Sequence, residues 1–357
     1  MVRLRRGTIR AIVSERPGAI ELEVEVEGAA ALALAYPGLT GPVAPGDSVL
    51  LNTTSIALGL GTGGFHLVVA VESVPATVLD SRGRVMKARY MPLQVAVQAV
   101  EETHADVLDA ANGLAGTPVV VAPLHSMIAP AVAGARAAGA RRVAYVMTDG
   151  AALPGPFSRL VPKLRDAGLL DGWITAGQAF GGELEAVTVW TGLLAAREVM
   201  EADVVVVADG PGNLGTATKW GVSALGAGNS LNAAAILGGR PVAALRVSFA
   251  DDRTRHVGLS HHSVTILSEV CLVEAHVAVP ELEGEEREAL WRDLRDAGLE
   301  ERHRLIEVQG RPALDLLEEH GVDVESMGRS ARDDPAFFLA AGAAGILAGR
   351  MAAGTPA

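Results

Sequence analysis

Only one cysteine, Cys271, occurs in 357 residues, so no internal disulfide framework exists and a reducing compartment is expected. Basic charge is also scarce: 30 Lys and Arg face 42 Asp and Glu, a net charge of −12. Nucleic acids and anionic membranes need a basic face, so neither is expected as a partner. Lysine is rarer still, 3 residues against 27 arginines; beside the heavy use of Ala and Gly, a GC-rich genome accounts for this without invoking function. Long apolar runs are missing. One long uncharged stretch, residues 48–71, holds Asn52, Thr53, Thr54, His66 and four glycines, which a spanning helix would not tolerate. Residues 335–349 are apolar but short of a span. The four arginines of residues 1–10 are followed by no apolar segment of the kind a secretory signal needs. No internal repeat, coiled coil or low-complexity tract is visible. A soluble, cytoplasmic protein is the expectation.

What is present suffices for a large core: 49% of residues are hydrophobic, in a chain long enough for two or three domains. Residues 1–75 read as a small β domain. Ile20-Glu21-Leu22-Glu23-Val24-Glu25-Val26-Glu27 alternates with the period of a strand that has one wet face. Residues 3–13, 48–52 and 65–72 are further strands, separated by Pro17-Gly18, Pro37-Gly38 and Pro45-Gly46-Asp47. A small barrel follows from several short strands and tight turns. Next, Pro92 suits the first turn of a helix, which is predicted over 93–104.

From residue 118 strands alternate with helices, making 76–357 an α/β domain. Strands are predicted at 118–122, 142–147, 172–176, 203–208, 241–248 and 271–279. Their starts lie 24 to 38 residues apart, room for a crossover helix each time, so the sheet is expected to be mostly parallel and open, with flanking helices. Residues 281–334 hold 17 acidic and 8 basic residues, the pattern of helices with a solvated face. Residues 337–348 read as a closing helix whose small residues allow close packing on the core or on a second subunit, and a homo-oligomer is expected.

Four segments in one order are distinctive: Asn52-Thr53-Thr54-Ser55 with the glycine run of 59–64; Thr148-Asp149-Gly150-Ala151-Ala152-Leu153-Pro154; Gly210-Pro211-Gly212-Asn213-Leu214-Gly215-Thr216; and Ser260-His261-His262. With them the chain resembles a bacterial family, of actinobacterial and firmicute type, catalogued only as a domain of unknown function. The resemblance implies a recurring folded cytoplasmic protein and no particular chemistry.

In an open parallel sheet, ligands bind beyond the carboxyl ends of the strands. The first such loop offers His125 and Ser126, a base and a nucleophile by residue type, though without the glycines of a nucleophile elbow. Pro130 places the helix start near itself, leaving both in an exposed loop. Asp149 follows the second strand as a general base or metal ligand. Glu183, after the third, reads first as an acidic residue in the opening turn of a helix. After Asp209, Gly210, Gly212 and Gly215 satisfy G-x-G-x-x-G, with Asn213 and Thr216 beside them. Pro211 removes one donor and no ribose-binding acid follows at the right distance, so an NAD site is not expected and an anion cradle at a helix start is.

The loop after the fifth strand is the richest: Asp251, Asp252, Arg253, Arg255, His256, then Ser260, His261 and His262. Arg253 and Arg255 suit an anion; His261 or His262 suits proton transfer. A divalent metal held by histidine with Asp149, Asp209 or Glu183 is open, without H-E-x-x-H or C-x-x-C spacing. The plainer reading is Ser260 as a cap over two exposed histidines, with Asp252 in a surface ion pair. The 59–64 run is a hairpin loop or a lid over the sheet edge.

The functional expectation is a hydrolase or transferase acting on a small anionic, phosphorylated or nucleotide-like metabolite. Catalysis would fall to His261, His262, Asp149, Asp209, His125 and Ser126, and binding to Gly210, Gly212, Asn213, Gly215, Thr216, Arg253 and Arg255. The alternatives are a non-catalytic ligand-binding regulator and a structural homo-oligomer.

Overall fold

A computed structural model describes residues 1–60, 63–72 and 83–355. The chain forms two compact units, Met1–Gln98 and Ala99–Ala357.

The first unit is built on a closed barrel of β1 (Leu4–Arg16), β2 (Ala19–Val26), β3 (Ala29–Ala35), β4 (Ser48–Asn52) and β5 (His66–Val71), in the order β1-β2-β3-β5-β4. The alternation in β2 turns Leu22 and Val24 inward and Glu23 and Glu25 outward. The N-terminal arginines lie along this wet face, Arg5 on Glu27 at 2.6 Å and Arg6 on Glu72 at 2.6 Å. Asn52-Thr53-Thr54 anchors the start of β1, since Arg3 N–H donates to Thr54 Oγ1 at 2.8 Å and Thr53 N–H to Arg3 O at 2.9 Å. His66 is buried in β5. Of the glycine run, residues 61 and 62 lie outside the described residues.

β3 is not apparent in the sequence because alanine, five of its seven residues, carries little strand preference. The tight turn through Glu27 and Gly28, both at positive φ, folds it back onto β2. The helix expected over 93–104 is a correction. Val95–Val97 is a strand, β7, paired with β6 (Val85–Lys87), and helix begins only at Val100. Two β-branched residues at period two outweigh the proline signal.

The main sheet of the second unit has eight strands, all parallel: β8 (Pro118–Val121), β9 (Val143–Thr148), β10 (Gly172–Ala176), β11 (Leu184–Ala186), β12 (Val204–Asp209), β13 (Arg240–Ala244), β16 (His276–Pro280) and β17 (Arg304–Val308). Their order is β11-β10-β9-β12-β8-β13-β16-β17. Two short hairpins stand apart, β14 (Val247–Ser248) with β15 (Gly258–Leu259), and β18 (Glu325–Ser326) with β19 (Arg329–Ser330). The valines of β12 are fully buried, as the continuous apolar run requires. The two sheet edges, β11 and β17, escaped the sequence reading. One has three residues and the other keeps charged Arg304 and Glu307.

Adjacent strands β8 and β12 send their helices to opposite faces. Ile128–Ala137 packs in one core and Gly226–Ile236 in the other. In open parallel sheets such a divergence marks the carboxyl-edge position at which ligands bind. The closing helix runs over Pro335–Ala352, 18 residues long and apolar enough to cross a membrane, yet 78% buried inside the protein. It lies on Ile128–Ala137 with glycine at the crossing: a Cβ on Gly345 would stand 2.0 Å from Ala131 O, and one on Gly134 2.4 Å from Gly342 O. The small residues expected to serve either the core or a second subunit therefore serve the core, and Ala343 is fully buried there.

Candidate active site

His125 follows β8 in a 3-10 turn, His125–Met127, that leads into the helix at Ile128. Pro130 falls in the first turn of that helix, where no backbone donor is needed. His125 and Ser126 have separate partners. His125 Nε2 lies 2.8 Å from Ser158 Oγ, while Ser126 Oγ lies 2.9 Å from Ser326 Oγ. His125 Nδ1 faces the Asp209 carbonyl at 3.3 Å, an acceptor only, so Nδ1 carries the proton and the Ser158 hydroxyl donates to Nε2. Burial pushes this imidazole down to about 4. Ser158 is itself 1% exposed, out of reach of a substrate.

Asp209 ends β12 at the same carboxyl edge. Its Oδ1 accepts from Thr148 Oγ1 at 2.7 Å and Gly150 N–H at 3.0 Å, and its Oδ2 from Asn213 Nδ2 at 2.8 Å. Burial nevertheless raises its pKa, and the charge of Asp149 adds to the rise. Asp149 is exposed and accepts Gln178 N–H at 2.7 Å. Gly177 beside it sits at φ +69, and a Cβ there would stand 2.3 Å from Asp149 Oδ2. Asp149 thus holds the β9 and β10 loops together.

Two expectations need correction. Glu183 does not open a helix. The chain doubles back after β10, so Glu183 N–H reaches Trp173 O and its carboxylate pairs with Arg165 at 2.8 Å, away from the carboxyl edge. Nor does 210–216 begin a helix, which starts beyond a 3-10 turn at Ser223–Leu225. Leu214 N–H goes to Ser223 Oγ at 3.1 Å and Thr216 N–H to Gly221 O at 2.9 Å, so two of the segment's backbone donors are engaged within the protein. Gly210 is tight against Met147 and Ala152 instead, Gly212 has positive φ, and Gly215 lies beside the His262 ring.

The loop after β13 folds back through the β14–β15 hairpin, and this brings three imidazoles together. His256 comes from the 3-10 turn Thr254–His256; His261 and His262 open the helix His261–Thr265. Ring centroids are 4.0 Å apart for His261 and His262, 4.9 Å for His256 and His262, and 5.1 Å for His256 and His261. One nitrogen from each lies within 4.8 Å of the others. Ser260 is the cap, as expected, with Oγ accepting His262 N–H at 3.3 Å, and it also lies 2.8 Å from His256 Nδ1. The histidines it caps are not two exposed groups, because His262 is 5% exposed. Burial lowers all three imidazoles, His256 to about 3 and His262 to about 4, so each is neutral at neutral pH. The Nε2 atoms of His261 and His262 are buried with no partner among the described residues. Three imidazoles in this number and proximity are a donor set for a transition metal. The sequence reading placed His256 in this polar loop, where four of the nine histidines fall within 256–276, but gave it no catalytic or binding role.

Around this cluster one carboxylate serves three guanidiniums. Asp251, not Asp252, is the buried acid. Arg253 binds it twice at 2.8 Å, Arg246 at 3.3 Å and Arg329 at 3.4 Å. The Arg253 hydrogen bonds hold Asp251 well below the usual carboxylate range. Burial and the neighbouring arginines push Arg246 down to about 10, while Arg329 also pairs with a second buried carboxylate, Asp334, at 3.2 Å. The Nε atoms of Arg246 and Arg255 are buried without acceptors among the described residues.

The family described as "Protein of unknown function (DUF3866)" matches the chain over residues 32–345. The chain belongs to this family. The DUF3866 match contains every strand of the eight-stranded sheet and each of the groups described above. No curated protein and no solved structure matches the chain.

Proposed function

We propose that the protein is an enzyme, a hydrolase or transferase, that acts on a small anionic molecule at the carboxyl edge of the sheet. The observation that carries this reading is the packing of three imidazoles, two of them buried, beside an arginine cluster in which buried Nε2 atoms of His261 and His262 and buried Nε donors of Arg246 and Arg255 find no partner among the described residues. A purely structural cluster would satisfy these groups internally, whereas unsatisfied buried ones cost stability. In this reading Arg246, Arg253 and Arg255 draw in the anion, His261 and His262 move protons, and Asp209 supplies a carboxyl whose raised pKa suits acid–base exchange. Its setting is the cytoplasm, which suits the single thiol, Cys271, buried and with its pKa raised by burial.

The test is a screen with phosphatase, esterase and nucleotidase substrates, with and without divalent metals. Turnover should fall by about 10²–10⁴ in His262→Ala and in Asp209→Asn at unchanged circular dichroism. No turnover by the unmutated protein under any of these conditions would sink the reading. Thermal stabilisation by a nucleotide or phosphorylated metabolite with no product would instead identify a binding protein.

A further inference from the structure

We propose that His256, His261 and His262 bind one divalent transition-metal ion through their imidazole nitrogens, with zinc the best fit. The inference deepens the functional reading above and rests on the same cluster; as ligands, His261 and His262 would act through the ion rather than move protons themselves.

Two kinds of orphaned group meet here. Among the described residues, the Nε2 atoms of His261 and His262 are buried with no partner, and so are the Nε donors of Arg246 and Arg255. Imidazole and guanidinium do not pair with each other anywhere in the cluster, and arginine has no lone pair to offer an N–H. A cation satisfies the imidazole nitrogens, and an anion on that cation satisfies the guanidiniums. The pair also resolves the electrostatics, since an anionic ligand offsets the cost of placing a metal near arginine.

The second shell is in place. Ser260 is fully buried and its Oγ lies 2.8 Å from His256 Nδ1, so an Nδ1–H directed there leaves the other ring nitrogen of His256 for the metal. The same oxygen accepts His262 N–H, tying the orientation of two ligands to one atom. Among the described residues no Cys, Asp or Glu joins the three histidines as a further ligand. Three nitrogens leave at least one position of a tetrahedral ion for water or substrate, the arrangement of a catalytic rather than a structural zinc site. Nitrogen-only ligation disfavours magnesium and calcium.

The experiment uses the full chain, stripped with a chelator and titrated with Co²⁺ as a visible probe. Expected are one ion per chain, the intense visible bands of low-coordinate cobalt, and their displacement by Zn²⁺. His261→Gln and His256→Gln should abolish the bands, Ser260→Ala should weaken binding by about 10-fold, and Glu183→Gln should change nothing. Thermal unfolding of each metal-free variant separates lost ligation from lost folding. His261 is half-buried, which makes His261→Gln the variant least exposed to that ambiguity. Absence of cobalt binding in the unmutated protein, or bands that persist in both glutamine variants, overturns the proposal. So does binding of orthophosphate to the metal-free protein that His261→Gln removes, because the imidazoles would then be anion ligands. Metal binding without turnover sinks only the enzyme reading, and turnover that survives chelation sinks only this one.

Discussion

Asp251 is the residue on which the arginine cluster depends. Its side chain is 1% exposed and Arg246 beside it 5%. Removing the carboxylate leaves buried guanidiniums uncompensated, so Asp251→Ala should cost about 3–5 kcal/mol in urea unfolding. The pH dependence has a definite sign. The folded pKa of Asp251 is depressed, so its contribution is complete above the ordinary aspartate value and is lost as pH falls through the folded one. Asp209 behaves oppositely. Its folded pKa is raised, so ionisation opposes folding as pH climbs from the ordinary aspartate value through the folded one. Asp209→Asn should therefore gain stability relative to the unmutated protein as pH rises across that window, read by thermal unfolding at a series of pH values. An unchanged difference would show that Asp209 titrates normally. The individual chemistry of Asp209, Arg253, His261 and His262 was legible in the sequence, because residue type and position after a strand suffice to nominate them. His256 was not, since nothing local distinguishes a ligand from a solvated histidine, and Asp252 was named for the pairing that Asp251 makes.

At the scale of elements, the helix Pro335–Ala352 shows how small residues act. Contact of backbone with backbone at Gly345 and Gly134 leaves no room for a methyl group. Gly345→Ala should destabilise by about 1–3 kcal/mol or more through overpacking. In size-exclusion chromatography the native fraction should keep its elution position. A shift to a smaller species at undiminished stability would instead mean that this helix holds subunits together. Strong periodic elements, β2 and the valine strands of the sheet, announce themselves because one local pattern dictates both conformation and burial. Weak ones such as β3 and β11 form because a neighbouring strand offers hydrogen bonds, and that neighbour is not encoded in their own residues.

At the scale of the whole molecule, the barrel core is a cluster separate from the two cores that flank the large sheet. Two units with independent cores should unfold in more than one step. Scanning calorimetry should give a calorimetric enthalpy larger than the van't Hoff value, and equality of the two would contradict independent cores.

The sequence by itself determined the order of architectures, a barrel-like β unit followed by a parallel α/β unit, and the loops that carry polar chemistry. Periodicity, turn residues and crossover spacing are short-range properties of a backbone, so they survive without a partner. Only the tertiary structure decided which polar groups meet. It joined Ser126 to Ser326 across 200 residues, withdrew Glu183 from the edge, engaged the Leu214 and Thr216 N–H groups and turned His256 toward His261 and His262. Such pairings depend on burial and on where the chain returns, and no local pattern carries that information.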